Sequence, residues 1–104
     1  MSLLPRYKVP IMTESQSGMY LTFNDYVLAF DALVGASVLD RDLTAPPGGE
    51  SEGDCYLVAA SATGAWAGQD GKLAQYVNGS WRFYPTPSGF VYWVVDEAIE
   101  VRVP

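Results

Sequence analysis

The side chains able to do chemistry are few. The chain has 104 residues, twelve of them acidic, with one cysteine and no histidine. Without histidine, Ser-His-Asp and Cys-His nucleophilic schemes and the HExxH zinc motif are all excluded within this chain. Cys55 lies in the strand-like run Cys55-Tyr56-Leu57-Val58 and reads as a small buried hydrophobe; alone, it permits no internal disulfide. That leaves the carboxylates as candidate acids and bases. Asp96 and Glu97 are neighbours, so on a strand they would point to opposite faces. Asp40 and Asp42 would share a strand face, with Arg41 between them, while Asp54, Asp70 and Asp96 could meet only through tertiary folding. Glycoside hydrolysis needs two carboxylates at a defined separation in a groove, and no spacing here fixes such a pair. No DxDxDG-type calcium loop occurs. The expectation is no catalytic residue, no cofactor and no metal ligand.

The stretch SATGAWAGQDGKLAQYVNGSWRFY, residues 61–84, could suggest a phosphate-binding loop. A Walker loop fails on inspection: counting back from Gly71-Lys72 puts Trp66 at the first glycine position, and Leu73 replaces the magnesium-binding hydroxyl. The glycines Gly64, Gly68, Gly71 and Gly79 read instead as turn formers, with Trp66 plugging its loop back onto the core. In Lys72–Val77, alternation puts Leu73, Gln75 and Val77 on one face and Lys72, Ala74 and Tyr76 on the other. In the return strand Trp81 and Phe83 oppose Arg82 and Tyr84. One set should be core and the other partly exposed. Such aromatics can form a core, a protein interface or a surface that stacks on sugar rings. Trp66, Asp70, Tyr76, Trp81 and Tyr84 are the candidate ligand or interface contacts.

These residues need elements to hold them. In TFNDYVLAFDALVG, Thr22 suits a helix N-cap with Asp25 at N3, and Gly35 suits a stop. Phe23, Tyr26, Val27, Phe30, Leu33 and Val34 form one apolar stripe at helical spacing. Leu28, Ala29 and Ala32 widen it, so the helix either faces its own sheet and another chain or lies deep in its own domain. A short strand, a Pro/Gly-rich loop and further strands follow: Cys55–Ala60, Lys72–Val77, Ser80–Tyr84, Phe90–Val95 and Ile99–Val103. Asn78-Gly79 is a strong type I′ hairpin signal. The fold class is α+β, mainly β: one N-terminal helix packed on a small, mostly antiparallel sheet of about five strands. Residues 1–20 read as an extended lead-in, broken by Pro5 and Pro10, in which Leu4, Tyr7, Val9 and Ile11 could lie along a sheet or a neighbouring subunit. Residues 21–104 read as a single small helix-plus-β-meander domain.

Hydrophobic residues make up 49% and charged residues 17%, a globular balance. A net charge of −6 with six scattered basic residues argues against nucleic acid and against an anionic membrane surface. No apolar run approaches the ~18 residues needed to span a bilayer, and no signal peptide is visible at the start.

Three segments carry a resemblance: ATGAWAG at Ala62–Gly68, the NGSWRFY hairpin and VVDE, within a pattern running from Asn24 to about Glu97. Here the chain resembles an uncharacterised domain family of bacteriophage, prophage and gene-transfer-agent tail proteins, including tail-fibre-like proteins. Cys55 stands where that family usually has a basic or polar residue, and the helix is more apolar than is usual there. The resemblance implies a non-enzymatic structural or host-recognition module of a virion or phage-like particle, made in the bacterial cytoplasm. Its partners would be other tail proteins and further copies of itself, and possible contacts include a cell-surface glycan. A carbohydrate-binding module presenting Trp and Tyr is the alternative; a hydrolase using Asp70 with another carboxylate is a third reading.

Overall fold

The computed structural model describes residues 5–8 and 19–104, with the side chains of 19–22 excepted. Leu4, Val9 and Ile11 therefore lie outside the described residues. Tyr7 packs edge-on against Phe90, with ring centroids 6.1 Å apart, so this part of the lead-in lies against the domain.

One helix, α1 (Met19–Leu33), precedes six strands: β1 (Ser37–Val38), β2 (Cys55–Leu57), β3 (Leu73–Val77), β4 (Ser80–Tyr84), β5 (Val91–Val94) and β6 (Ile99–Arg102). The class is α+β and mainly β, as the sequence indicates. The single sheet of about five strands is corrected to two three-stranded sheets, ordered β1-β5-β6 and β2-β3-β4. The meander fails at β1, which pairs parallel with the distant β5 while the remaining pairs are antiparallel. The sheets are nonetheless joined: Leu39 N–H donates to the Cys55 carbonyl (2.8 Å) and Leu57 N–H to the Asp40 carbonyl (3.1 Å).

The helix also begins earlier than its capping signal. Thr22 lies inside α1 rather than at its N-cap, because Met19–Leu21 extend the helix on its N-terminal side. At the other end Val34 N–H still donates to the Phe30 carbonyl (3.0 Å). Gly35 then takes φ +60°, a left-handed stop that a Cβ would strain.

β3 is covered on both faces. On one side Leu73, Cys55 and Tyr84 pack with Ala29 and Ala32 of α1 in the larger core; on the other, Ala74 joins Tyr56, Val58 and Trp66 in a second cluster. The expectation of one core face and one partly exposed face holds, with Leu73, Gln75, Val77 and Tyr84 buried and Lys72, Tyr76, Trp81 and Phe83 half-buried, but Ala74 of the second face is buried too. The reason is the segment after β2, which folds over the second face. That segment is closed at its base by Val58 N–H to the Lys72 carbonyl (2.9 Å) and Gly71 N–H to the Val58 carbonyl (2.8 Å).

Candidate functional site

The Asn78-Gly79 turn fixes the register of the aromatic strands. Both residues have positive φ, +53° and +76°, as a type I′ hairpin requires. Tyr76 then stands opposite Trp81, and Ala74 opposite Phe83. Strand alternation therefore gathers these rings on the face away from α1. The short 3-10 turn Gly64–Trp66 delivers the last ring from above. Trp66 is 0% exposed; its ring centroid lies 5.2 Å from Trp81 at 85° and 5.6 Å from Tyr56. Tyr76 and Trp81 meet at 5.0 Å. These are edge-on and tilted arrangements, which aromatic pairs favour over face-to-face stacking. The Trp66 indole N–H and the Gln69 side-chain oxygen are buried and have no hydrogen-bond partner among the described residues.

The five candidate contacts thus take different places. Trp66 is the plug and offers no surface. Tyr84 points to the opposite, helix-facing side, where its buried hydroxyl donates to Gln75 Oε1 (2.9 Å) and burial pushes its pKa up. Tyr76 and Trp81 remain half-buried together. Asp70 is a loop clamp: its carboxylate accepts from Ser61 N–H (2.9 Å) and Ala62 N–H (3.0 Å). Those amides, Ala62's first, hold its pKa below the usual carboxylate value. Ser61 has φ +64°, a left-handed conformation costly for a non-glycine residue, and the clamp holds it there.

The carboxylates do not converge as Asp54, Asp70 and Asp96. Asp54 accepts from Ser51 N–H (2.9 Å) in its own turn. Asp40, Asp42 and Asp96 instead bring carboxylate oxygens within 4.8 Å of one another on the surface. Asp40 and Asp42 are not on a strand, since β1 ends at Val38; Asp42 N–H donates to Asp40 Oδ1 (2.8 Å) in a turn. Local desolvation first, then the charges of Asp40, Glu97 and Asp42, raise the Asp96 pKa. Beside them Arg41 grips Glu97 through two hydrogen bonds, 2.7 and 2.9 Å, which lower the Glu97 pKa. Sequence spacing pairs Asp40 with Asp42; only the β1–β5 pairing, Val38 opposite Val94, adds Asp96. Cys55 is buried, and that burial pushes its thiol up to about 11, away from reactivity.

The most exposed large apolar side chains lie elsewhere, on α1 and just past its end. Phe23, Val27, Phe30 and Val34 are 57%, 50%, 67% and 59% exposed. The face of α1 turned to the sheet buries Ala29 and Ala32, with Tyr26 and Leu33 packed half-buried against the same core.

DUF2793, described as a protein family of unknown function, matches residues 23–102. The chain belongs to that family. The match takes in most of α1, both sheets and the whole aromatic cluster. No curated protein and no solved structure matches the chain. Among the described residues, no helix is long and apolar enough to cross a membrane.

Proposed function

We propose that this domain is a non-enzymatic structural or host-recognition module of a phage-like tail or tail fibre, working in more than one copy. The observation that carries the reading is the way the chain distributes its apolar side chains. The aromatic cluster and the Asp70-clamped loop build a scaffold on the sheet, while α1 turns Phe23, Val27 and Phe30 outward, with Val34 just past its end. Buried rings and clamped loops confer rigidity, and an outward apolar stripe suits contact with other chains. The tail context rests on the resemblance carried by Ala62–Gly68, the Asn78–Tyr84 hairpin and Val94–Glu97. Immunogold electron microscopy of particles released by the source cell, with antibody raised against this domain, tests it. Gold on tails is expected; particles free of gold while the cells contain the protein would overturn the reading.

One observation favours a second reading, a carbohydrate-binding surface. Tyr76 and Trp81 keep half-buried rings side by side, a pair that could stack on a sugar. A glycan array tests this: binding lost in Tyr76→Ala supports it, and no binding by the native protein removes it.

A further inference from the structure

β1 is joined to β2 through Leu39 and Leu57, which leaves β4 and β6 as the outer edges of the joined sheets. On β6 the ladder shows which backbone groups are free. Trp93 and Val95 give their N–H groups to the Ala36 and Val38 carbonyls (3.0 and 2.8 Å) on the β1 side, so alternation turns those of Tyr92 and Val94 toward β6. Their partners Val101 and Ile99 therefore face β5, as does Val103, whose N–H donates to the Phe90 carbonyl (2.8 Å). Glu100 and Arg102 point their N–H and C=O groups away from the sheet, and among the described residues nothing hydrogen-bonds to those groups. Both side chains are exposed and, among the described residues, form no ion pair. The core-facing row of β6 is also unfinished. Ile99 stands opposite the fully buried Val94 yet is 40% exposed, and Val101 and Val103 are half-buried. An open edge is commonly blunted by proline, a bulge or like charges. Ile99–Arg102 has no proline and no bulge, and its two charges are of opposite sign.

We infer that β6 is a self-association edge whose occupant is β6 of a second copy, running antiparallel to it. The inference rests on the proposed multi-copy role and names the surface that serves it. The charges choose both the occupant and the register. Outward-facing residues must meet outward-facing residues for the new backbone hydrogen bonds to close. Three alignments about a two-fold axis then keep most of the strand paired: Glu100 against Glu100, Arg102 against Arg102, or Glu100 against Arg102. The first two set like charges directly opposite, which is destabilising. The third puts Val101 on the axis and pairs Glu100 of each copy with Arg102 of the other. Each copy thus supplies both halves of the match. The same register sets Ile99 against Val103 and Val101 against Val101, which completes the core-facing row. β4 has no such match: the register centred on it sets Arg82 against Arg82, and Arg82 is already held by Asp25 (2.8 Å). A four-residue edge buries far less than the ~1,200 Å² of a standard specific interface, so free domains should associate weakly and reversibly. Chains held together in a larger assembly reach an effective concentration of roughly millimolar, which closes the edge.

Analytical ultracentrifugation from roughly 1 µM to 1 mM tests this. At ~0.15 M salt, repulsion between two chains of net charge −6 is screened beyond roughly 8 Å while contact pairs still act. The native protein should rise in average mass with concentration. Glu100→Arg and Arg102→Glu should each stay monomeric, because each sets like charges opposite. Their near-UV CD spectra should match the native one, since both side chains are exposed. An equal mixture of the two variants should associate again, because the arginines of one then meet the glutamates of the other. Amide hydrogen exchange at Glu100 and Arg102 of the native protein should slow as concentration rises. If both single variants associate like the native protein, another surface joins the copies: the β6 edge is overturned while a multi-copy role survives. Loss in both variants without rescue in the mixture overturns the register and the inference with it. Slow exchange at both amides in the dilute monomer would mean that another segment of the same chain covers the edge, and overturns the inference too. A native protein monomeric at every concentration would overturn the edge and the multi-copy role together, while the gold labelling decides the tail location separately.

Discussion

Trp66 and Asp70 show how single residues hold the loop over β3. The indole is wholly buried among Tyr56 and Trp81, so Trp66→Ala should cost roughly 3–5 kcal/mol in chemical denaturation. Trp66→Phe should cost less, because it keeps most of the ring and removes an N–H that has no partner among the described residues. Asp70→Ala should lower the melting temperature at pH 7 by freeing Ser61 from its left-handed conformation. The folded pKa of Asp70 lies below its ordinary 3.8, so the carboxylate stabilises the fold above that value. The gap between native and Asp70→Ala melts should therefore close as pH falls below 3.8 and through the folded pKa. A gap unchanged at low pH would refute the clamp. Both roles were legible in outline, since a tryptophan among glycines suggests a plug and an aspartate in a turn suggests an amide acceptor. Which amides Asp70 would reach was not, because Ser61 and Ala62 approach it only once the loop closes.

At the scale of elements, the contact between α1 and the sheet depends on Gln75 as much as on apolar packing. Gln75 is fully buried in β3, donating to the Leu28 carbonyl and accepting from the Tyr84 hydroxyl. Gln75→Met keeps the volume but removes both partners' hydrogen bonds. Leaving the buried tyrosine hydroxyl unsatisfied should cost about 1–3 kcal/mol by urea titration, and a change below a few tenths would show that the network is dispensable. The strands were readable because their signals are local: period-two alternation and Asn78-Gly79 both act within a few residues. The start of α1 was misread because Thr22-x-x-Asp25 is a sound capping pattern that the preceding turn of helix overrides. The stripe Phe23–Val34 was correctly read as helical. Its direction was not legible, because periodicity shows that a face exists and not what lies against it.

For the molecule as a whole, long-range pairing places the charges. β1 and β5 are far apart in sequence, yet their parallel pairing sets Asp96 beside Asp40 and Asp42. Desolvation and this crowding raise the Asp96 pKa, so its ionised form weakens the fold once pH exceeds that value. Asp96→Asn should therefore melt at a higher temperature than the native protein at pH 7. The two should converge below the ordinary 3.8, where the native Asp96 carboxyl is protonated in both the folded and the unfolded state. A lower melt for Asp96→Asn at neutral pH would show that the charge is needed rather than tolerated. By itself the sequence determined the class of fold, most strand positions, the hairpin register and the absence of histidine-based chemistry, all of which depend on residue type and short-range spacing. Tertiary structure alone decided that the strands divide into two sheets, that both faces of β3 are covered, that three aspartates meet, and that the phenylalanines of α1 face outward. Each of these depends on pairing or packing between residues far apart in the chain, where competing burial and hydrogen bonding, rather than local preference, choose the arrangement.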